Sequence, residues 1–131
     1  MGELRLLLDT HAWIWWLNDD TKLSTRARTE ISNPGNEVLV SAAVAWEVAT
    51  KHRLGKLPGV EPLLADMTSL MLRSGFKELP VTLRHGLHAG NWPLVHRDPF
   101  DRMLAAQSAL EDAPLVTRDA VFREFDIDVV W

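Results

Sequence analysis

The sequence predicts an α/β fold in which a parallel sheet of four to five strands carries helices on both faces. Three observations point there. Short apolar runs such as Leu6-Leu7-Leu8, Val38-Leu39-Val40 and Leu115-Val116 have the length and composition of buried strands. Most of the runs lead into a capping residue and then a stretch with helical spacing. Strand and helix therefore alternate along the chain, the arrangement that builds parallel sheets through right-handed crossovers.

The first strand covers Leu4 to Leu8 and stops at Asp9, the only acid of the run LLLDTHAWIWWL; Thr10 to Leu17 follow as an apolar helix. Asn18-Asp19-Asp20 breaks it, and Lys22 to Ser32 form an amphipathic helix with Leu23, Ala27 and Ile31 spaced four apart. Asn33 to Asn36 make a turn. Val38 to Val40 are the second strand, after which Ser41 caps a helix that runs to Leu54 and stops at Gly55. Pro58 to Pro62 connect to a helix over Leu63 to Ser74, closed by Gly75. Glu78 to Val81 give a short strand, whose pairing Pro80 limits. Thr82 starts a short helix ending at Gly90, and Asn91 to Arg97 form a loop. Asp98-Pro99 opens the best-marked helix, an Asp cap with Pro at the first helical position and a stripe of Met103, Leu104, Ala106, Ala109 and Leu110. Leu115 to Thr117 are the fourth strand, Asp119 caps a short helix through Phe125, and Val129-Val130 close the sheet.

At 131 residues the chain fits one domain, residues 1–131, with enough length for a core of its own. Without cysteine it has no disulfide framework and no thiolate zinc site. The charged start, Met1 to Arg5, and the short leucine run after it predict neither a signal peptide nor a membrane span, so a soluble, cytoplasmic protein is expected. A formal charge of −4 argues against nucleic-acid binding through bulk positive charge, yet it allows an acidic pocket beside a local basic rim. Six tryptophans without a tyrosine suggest an apolar surface kept for a partner.

Ligands of open parallel sheets bind beyond the carboxyl ends of the strands. Asp9 and Asp119 follow the first and fourth strands, Asp98 and Asp101 begin the long helix, and Glu47 is the only charge between Val38 and Thr50. Each acid has an ordinary reading. Asp9, Asp98 and Asp119 suit helix caps, Glu47 suits an i,i+4 pair with Lys51, and Asp101 suits the helix dipole. Their convergence on one edge favours a cation site instead. Clustered carboxylates repel unless a cation holds them, and Mg²⁺ prefers oxygen ligands of this kind.

The patterns LLLDTHAW, SAAVAWEVATKHRLGKL and HRDPFDRMLAAQSALEDAPLVTRD, with the closing apolar strand, resemble the PIN domain family. The likeness is greatest to the VapC-type toxins of type II toxin–antitoxin pairs. It implies a PIN-like fold and a metal-dependent endoribonuclease that hydrolyses tRNA, rRNA or mRNA and so inhibits translation. Matched by position, Asp9, Glu47, Asp101 and Asp119 would bind Mg²⁺ or Mn²⁺, Asp98 would be a cap or an extra acid, and Thr10 and Thr117 would orient a carboxylate or a metal-bound water. A cation-activated water implies 5′-phosphate and 3′-hydroxyl ends. The resemblance also implies a cognate antitoxin and a homodimer, with Trp13, Trp16 and Leu17 of the first helix, and Trp15 and Trp46, as partner surface. The competing expectation is an inactive PIN-like module that binds RNA or protein through the same edge.

Lys51, Arg53, Lys56, Arg97, Arg102 and Arg118 lie near the acids in sequence and suggest contacts to RNA phosphates, which add affinity without sequence information; the alternative, for at least half of them, is solvated surface charge. His85 and His88 lack further zinc ligands and read as surface or substrate-contacting residues. Trp92 has a choice between packing and stacking on a base. Other chemistries fail at named positions. A haloacid dehalogenase needs Asp where His11 stands, a receiver domain needs a lysine after its last strand, and an aspartic protease needs Gly where His11 follows Asp9-Thr10.

Overall fold

Leu6, Leu7 and Leu8 are buried one after another, although successive side chains of a strand point to opposite faces. Both faces of the sheet must therefore be covered, as the apolar runs required. The computed structural model describes residues 3–131; Met1 and Gly2, where the charged N-terminal stretch begins, lie outside the described residues. Five strands, β1 (Arg5–Leu8), β2 (Glu37–Ser41), β3 (Lys77–Leu79), β4 (Leu115–Val116) and β5 (Val129–Val130), form one sheet in the order β3-β2-β1-β4-β5. Every neighbouring pair is parallel, with Leu7 opposite both Leu39 and Leu115. The chain moves outward from β1 to β3 and then crosses to the other side of β1. Right-handed crossovers in opposite directions send the intervening helices to opposite faces.

The helices are α1 (Thr10–Leu17), α2 (Thr25–Ser32), α3 (Ala42–Arg53), α4 (Glu61–Ala65), α5 (Met67–Ser74), α6 (Leu83–Asn91) and α7 (Pro99–Glu111), with a 3-10 helix over Ala120–Phe125. Their starts follow local chemistry. Ser24, Ser41, Thr82 and Asp98 each accept a hydrogen bond from a backbone N–H of the first turn. The helix expected from Lys22 begins only after Ser24, because that cap sets its start. The helix expected over Leu63 to Ser74 is two helices: Asp66 leaves helical geometry (φ −156°, ψ 65°) and caps the second by accepting from Ser69 N–H. Gly75 ends α5 in the left-handed region that favours glycine (φ 75°). The third strand lies slightly earlier than expected and ends before Pro80, which has no N–H to add to the ladder.

The tryptophans of α1 do not form a free surface. Trp13 and Trp15 are buried, Trp13 against Phe76 with ring centroids 5.5 Å apart and Trp15 against Trp131 at 5.9 Å. Trp16 is half-buried and packs on Phe76 at 5.7 Å, while Leu17 is half-buried against the core. Exposed apolar side chains lie instead on α6, where Leu83 and Leu87 are 83% and 68% exposed, at Trp46, which is 61% exposed, and at Leu72 and Val95 among others. Among the described residues no helix is long and apolar enough to cross a membrane.

Candidate active site

The strand order reverses beside β1, between β2 on one side and β4 on the other, where open α/β sheets place their ligands. Asp9 follows β1 directly and its N–H donates to the Val116 carbonyl of β4 at 3.1 Å. From β4 the chain runs through Thr117 and Arg118 to Asp119. The second turn of α3 brings Glu47, and the first turn of α7 brings Asp101 behind its cap Asp98. All five acids line one cavity of about 530 Å³, with Thr10, His11, Trp15, Lys51 and Arg118.

Capping and convergence hold together. Asp9 accepts from Ala12 N–H at 2.8 Å, Asp119 from Val121 N–H at 3.0 Å, and Asp98 from the N–H groups of Phe100 and Asp101 at 2.9 and 3.1 Å. Glu47 does pair with Lys51, but the contact is not a surface one, since Glu47 is only 5% exposed. Its other oxygen accepts from the Thr10 hydroxyl at 2.6 Å. The Thr117 hydroxyl accepts from Asp119 N–H at 3.0 Å and supports Asp9 by a side-chain hydrogen bond.

The cavity strains its charges. Burial raises the Asp9 carboxyl to about 6, helped by the charges of Glu47 and Asp119 and opposed by the Thr117 and Ala12 hydrogen bonds. Burial likewise raises Asp101 to about 6, with Asp98 and Glu47 adding to it and the His96 hydrogen bond opposing it. Burial disfavours the Lys51 ammonium, yet the Glu47 hydrogen bond and the charges of Glu47, Asp98 and Asp101 outweigh it and raise its pKa. The lysine thus sits as a cation among the acids. As the side chains stand, no three acids or histidines among the described residues are grouped to hold a metal ion. Glu47 faces its lysine and threonine, while Asp9 and Asp119 face backbone N–H groups.

Two histidines belong to this site that sequence reasoning did not select. His11 lines the cavity, its ring 5.5 Å from Trp15, with its pKa lowered chiefly by burial. His96 meets Asp101 with Nε2 2.9 Å from Oδ2. The signals were adjacency to Asp9-Thr10 and the His-x-Asp-Pro-x-Asp run, and both depend on a loop geometry that no periodicity reveals. Of the basic residues, Lys51 and Arg118 reach the cavity, Arg118 with its guanidinium 4.6 Å from the Trp15 ring centre. Arg53 and Arg97 are exposed and do not line it, nor does Lys56. Arg102 is not placed for RNA: its guanidinium donates to the carbonyls of Ala89, Trp92, Leu94 and His96 and holds the loop before α7. His85 is not a surface residue either; it is buried and joins Thr82, Gln107 and Glu111. Trp92 packs edge-on against Phe125 at 5.2 Å.

The sequence pattern of the family described as PIN domain matches residues 6–128. The chain belongs to the PIN domain family. The matched stretch of this PIN domain, residues 6–128, includes every acid of the cavity. Ribonuclease VapC16 of Mycobacterium tuberculosis is 41% identical over 61 residues, a match covering 47% of this PIN chain and 43% of that relative. The match thus spans less than half of the relative's length. Among solved structures, VapBC-1 from nontypeable Haemophilus influenzae superposes with a TM-score of 0.68 at 19% identity, over 96% of each chain. VapC20 of Mycobacterium tuberculosis, a sarcin-ricin loop cleaving toxin, gives 0.67 at 17% identity over 93% of this chain and 95% of its own. At such identities these two bear on the PIN fold alone.

Proposed function

We propose that the chain, acting as one PIN domain over residues 1–131, is a Mg²⁺- or Mn²⁺-dependent endoribonuclease and the toxin of a type II toxin–antitoxin pair. One observation carries the reading: separate elements deliver Asp9, Glu47, Asp101 and Asp119 to a single cavity at the strand-order reversal. The donor set is all oxygen, as hard divalent cations prefer. The two acids raised toward neutrality by burial and by one another also fit, since an added cation relieves both effects. Lys51, already held among these acids, shows that a positive charge is accommodated there. The VapC16 relative carries the name ribonuclease, which supports RNA as the substrate class.

In this reading Asp9, Glu47, Asp101 and Asp119 hold the cation, and Asp98 remains the cap of α7. A bound Mg²⁺ or Mn²⁺ supplies an activated water and neutralises charge on the scissile phosphate. Thr10 fixes Glu47 and Thr117 fixes Asp9, so the acids are arranged before substrate arrives. Lys51, which pairs with Glu47, would compete with a cation for that carboxylate and, with Arg118 on the rim, is placed to meet RNA phosphates. A cognate antitoxin protein silences the toxin in the cytoplasm, and two copies pair through the apolar face of α6.

The test is cleavage of mixed tRNA, rRNA and mRNA by purified, antitoxin-free protein with Mg²⁺ or Mn²⁺, against EDTA and Asp9→Asn. Cutting that needs the metal, is lost in the variant and leaves 5′-phosphate ends supports the proposal. Ends with 2′,3′-cyclic phosphate, or equal behaviour of wild type and variant, would overturn it and leave a binding module as the better reading.

A further inference from the structure

We propose that His96 is a positioning residue for Asp101, set in place by a carbonyl clamp that Arg102 makes on the loop before α7. The inference rests on the nuclease reading and concerns a residue outside the acid set. Among the described residues the Asp101 side chain has one hydrogen-bond partner, His96, whose Nε2–H donates to Oδ2 at 2.9 Å. A donor on one oxygen restricts the torsion of the carboxylate and so the direction in which it meets a cation.

His96 is itself held by two further contacts. Its carbonyl accepts from Arg102 Nη1 at 2.8 Å. Its ring meets Phe125 edge-on, with centroids 5.5 Å apart and planes at 87°. Arg102 also donates to Ala89 and Leu94, each at 2.9 Å, and to Trp92, so one guanidinium gathers the whole turn from the end of α6 to His96. Arg102 and Asp101 are neighbours on the first turns of α7. One binds the backbone of His96 and the other its ring, so both ends of the histidine are referenced to the same piece of helix. The carbonyl contacts tie the loop to α7 independently of the imidazole–carboxylate bond, whose direct partner is Asp101.

Two substitutions separate orientation from packing. His96→Phe keeps a ring against Phe125 and removes the donor, whereas His96→Gln restores an N–H at a similar reach. Thermal midpoint, Mn²⁺ affinity by calorimetry, and KM and kcat on cleaved RNA are measured for each. The expected result for His96→Phe is an unchanged midpoint, Mn²⁺ binding weakened by about tenfold or more, and kcat reduced at nearly constant KM, the range found when partners behind a metal ligand are lost. His96→Gln recovers most of both losses. Arg102→Ala shows the same metal defect, and adding His96→Phe to it weakens Mn²⁺ binding no further, because the two act through one path. A His96→Phe protein that binds Mn²⁺ and turns over RNA like wild type would overturn the proposal. If wild type binds Mn²⁺ but cuts no RNA, the nuclease reading falls, and a tenfold difference in affinity still supports the positioning role. If wild type binds no Mn²⁺, both fall.

Discussion

Asp9 is an acid kept where folding alone would not put a charge. Its folded pKa of about 6 lies above the unfolded value, so the native state binds the proton more tightly than the unfolded chain does. Stability from this group is therefore full below about pH 4 and is lost as pH rises through about 6. Asn at this position keeps an oxygen for the Ala12 N–H and carries no charge. Asp9→Asn is thus expected to be more stable than wild type by about 3 kcal/mol near pH 7.5 in EDTA, with the gap closing as the pH falls to about 4. Denaturant unfolding at the two pH values checks this. A gap that stays constant with pH would show that the buried charge is not its source. The same variant is the one expected to lose cleavage, so this position trades stability for activity.

At the scale of elements, what was legible in the sequence was whatever local chemistry dictates. Leu6 to Leu8 and Val38 to Val40 had to be strands covered on both faces, and Asp98-Pro99 had to open a helix. The four acids were legible because each follows such a marked boundary or, like Glu47, stands alone in an apolar helix. What was not legible depends on distant packing. The break at Asp66 hides inside an unbroken apolar period, and the face that α1 shows to Phe76 is set by a residue some 60 positions away in the chain. Arg102 reads like a surface cation until the loop folds over it. The Glu47–Lys51 pair shows how a local rule can hold with altered meaning, since the i,i+4 spacing is ordinary and the burial of Glu47 is not. Truncating the lysine leaves that carboxylate buried without its cation, a loss tempered by Lys51 being partly exposed. Lys51→Ala is expected to cost about 1–3 kcal/mol in EDTA and to be rescued by Mg²⁺ to a greater extent than wild type is stabilised by it. Thermal unfolding of both proteins with and without Mg²⁺ decides; equal Mg²⁺ shifts would mean that the lysine and the cation do not compete for Glu47.

For the whole molecule the decisive feature is where apolar surface is left over once the core is complete. Tryptophans that suggested a partner face on α1 went into the core, and the uncovered apolar side chains include Leu83 and Leu87, one helical turn apart on α6, and Trp46 and Val81, while Leu72 and Val95 are exposed singly elsewhere. Between Trp46 and α6 lies an apolar groove of about 360 Å³, bounded by Val81, Ala89 and Met103. Apolar surface of this kind can serve association, and in the proposed symmetric pair the same helix would be buried from both copies. A stable pair needs about 800 Å² from each copy, more than two leucines supply, so the groove beside α6 has to take part. Both leucines are too exposed to support the monomer's core, and their replacement by glutamate leaves folding within about 0.5 kcal/mol of wild type. Leu83→Glu with Leu87→Glu is therefore expected to halve the mass seen by light scattering without lowering the thermal midpoint at low protein concentration. If the wild-type chain already has the mass of one copy, the α6 face does not pair copies of this chain. The acidic cavity is built from one copy's residues, so the separated chains should still bind Mn²⁺ with unchanged affinity.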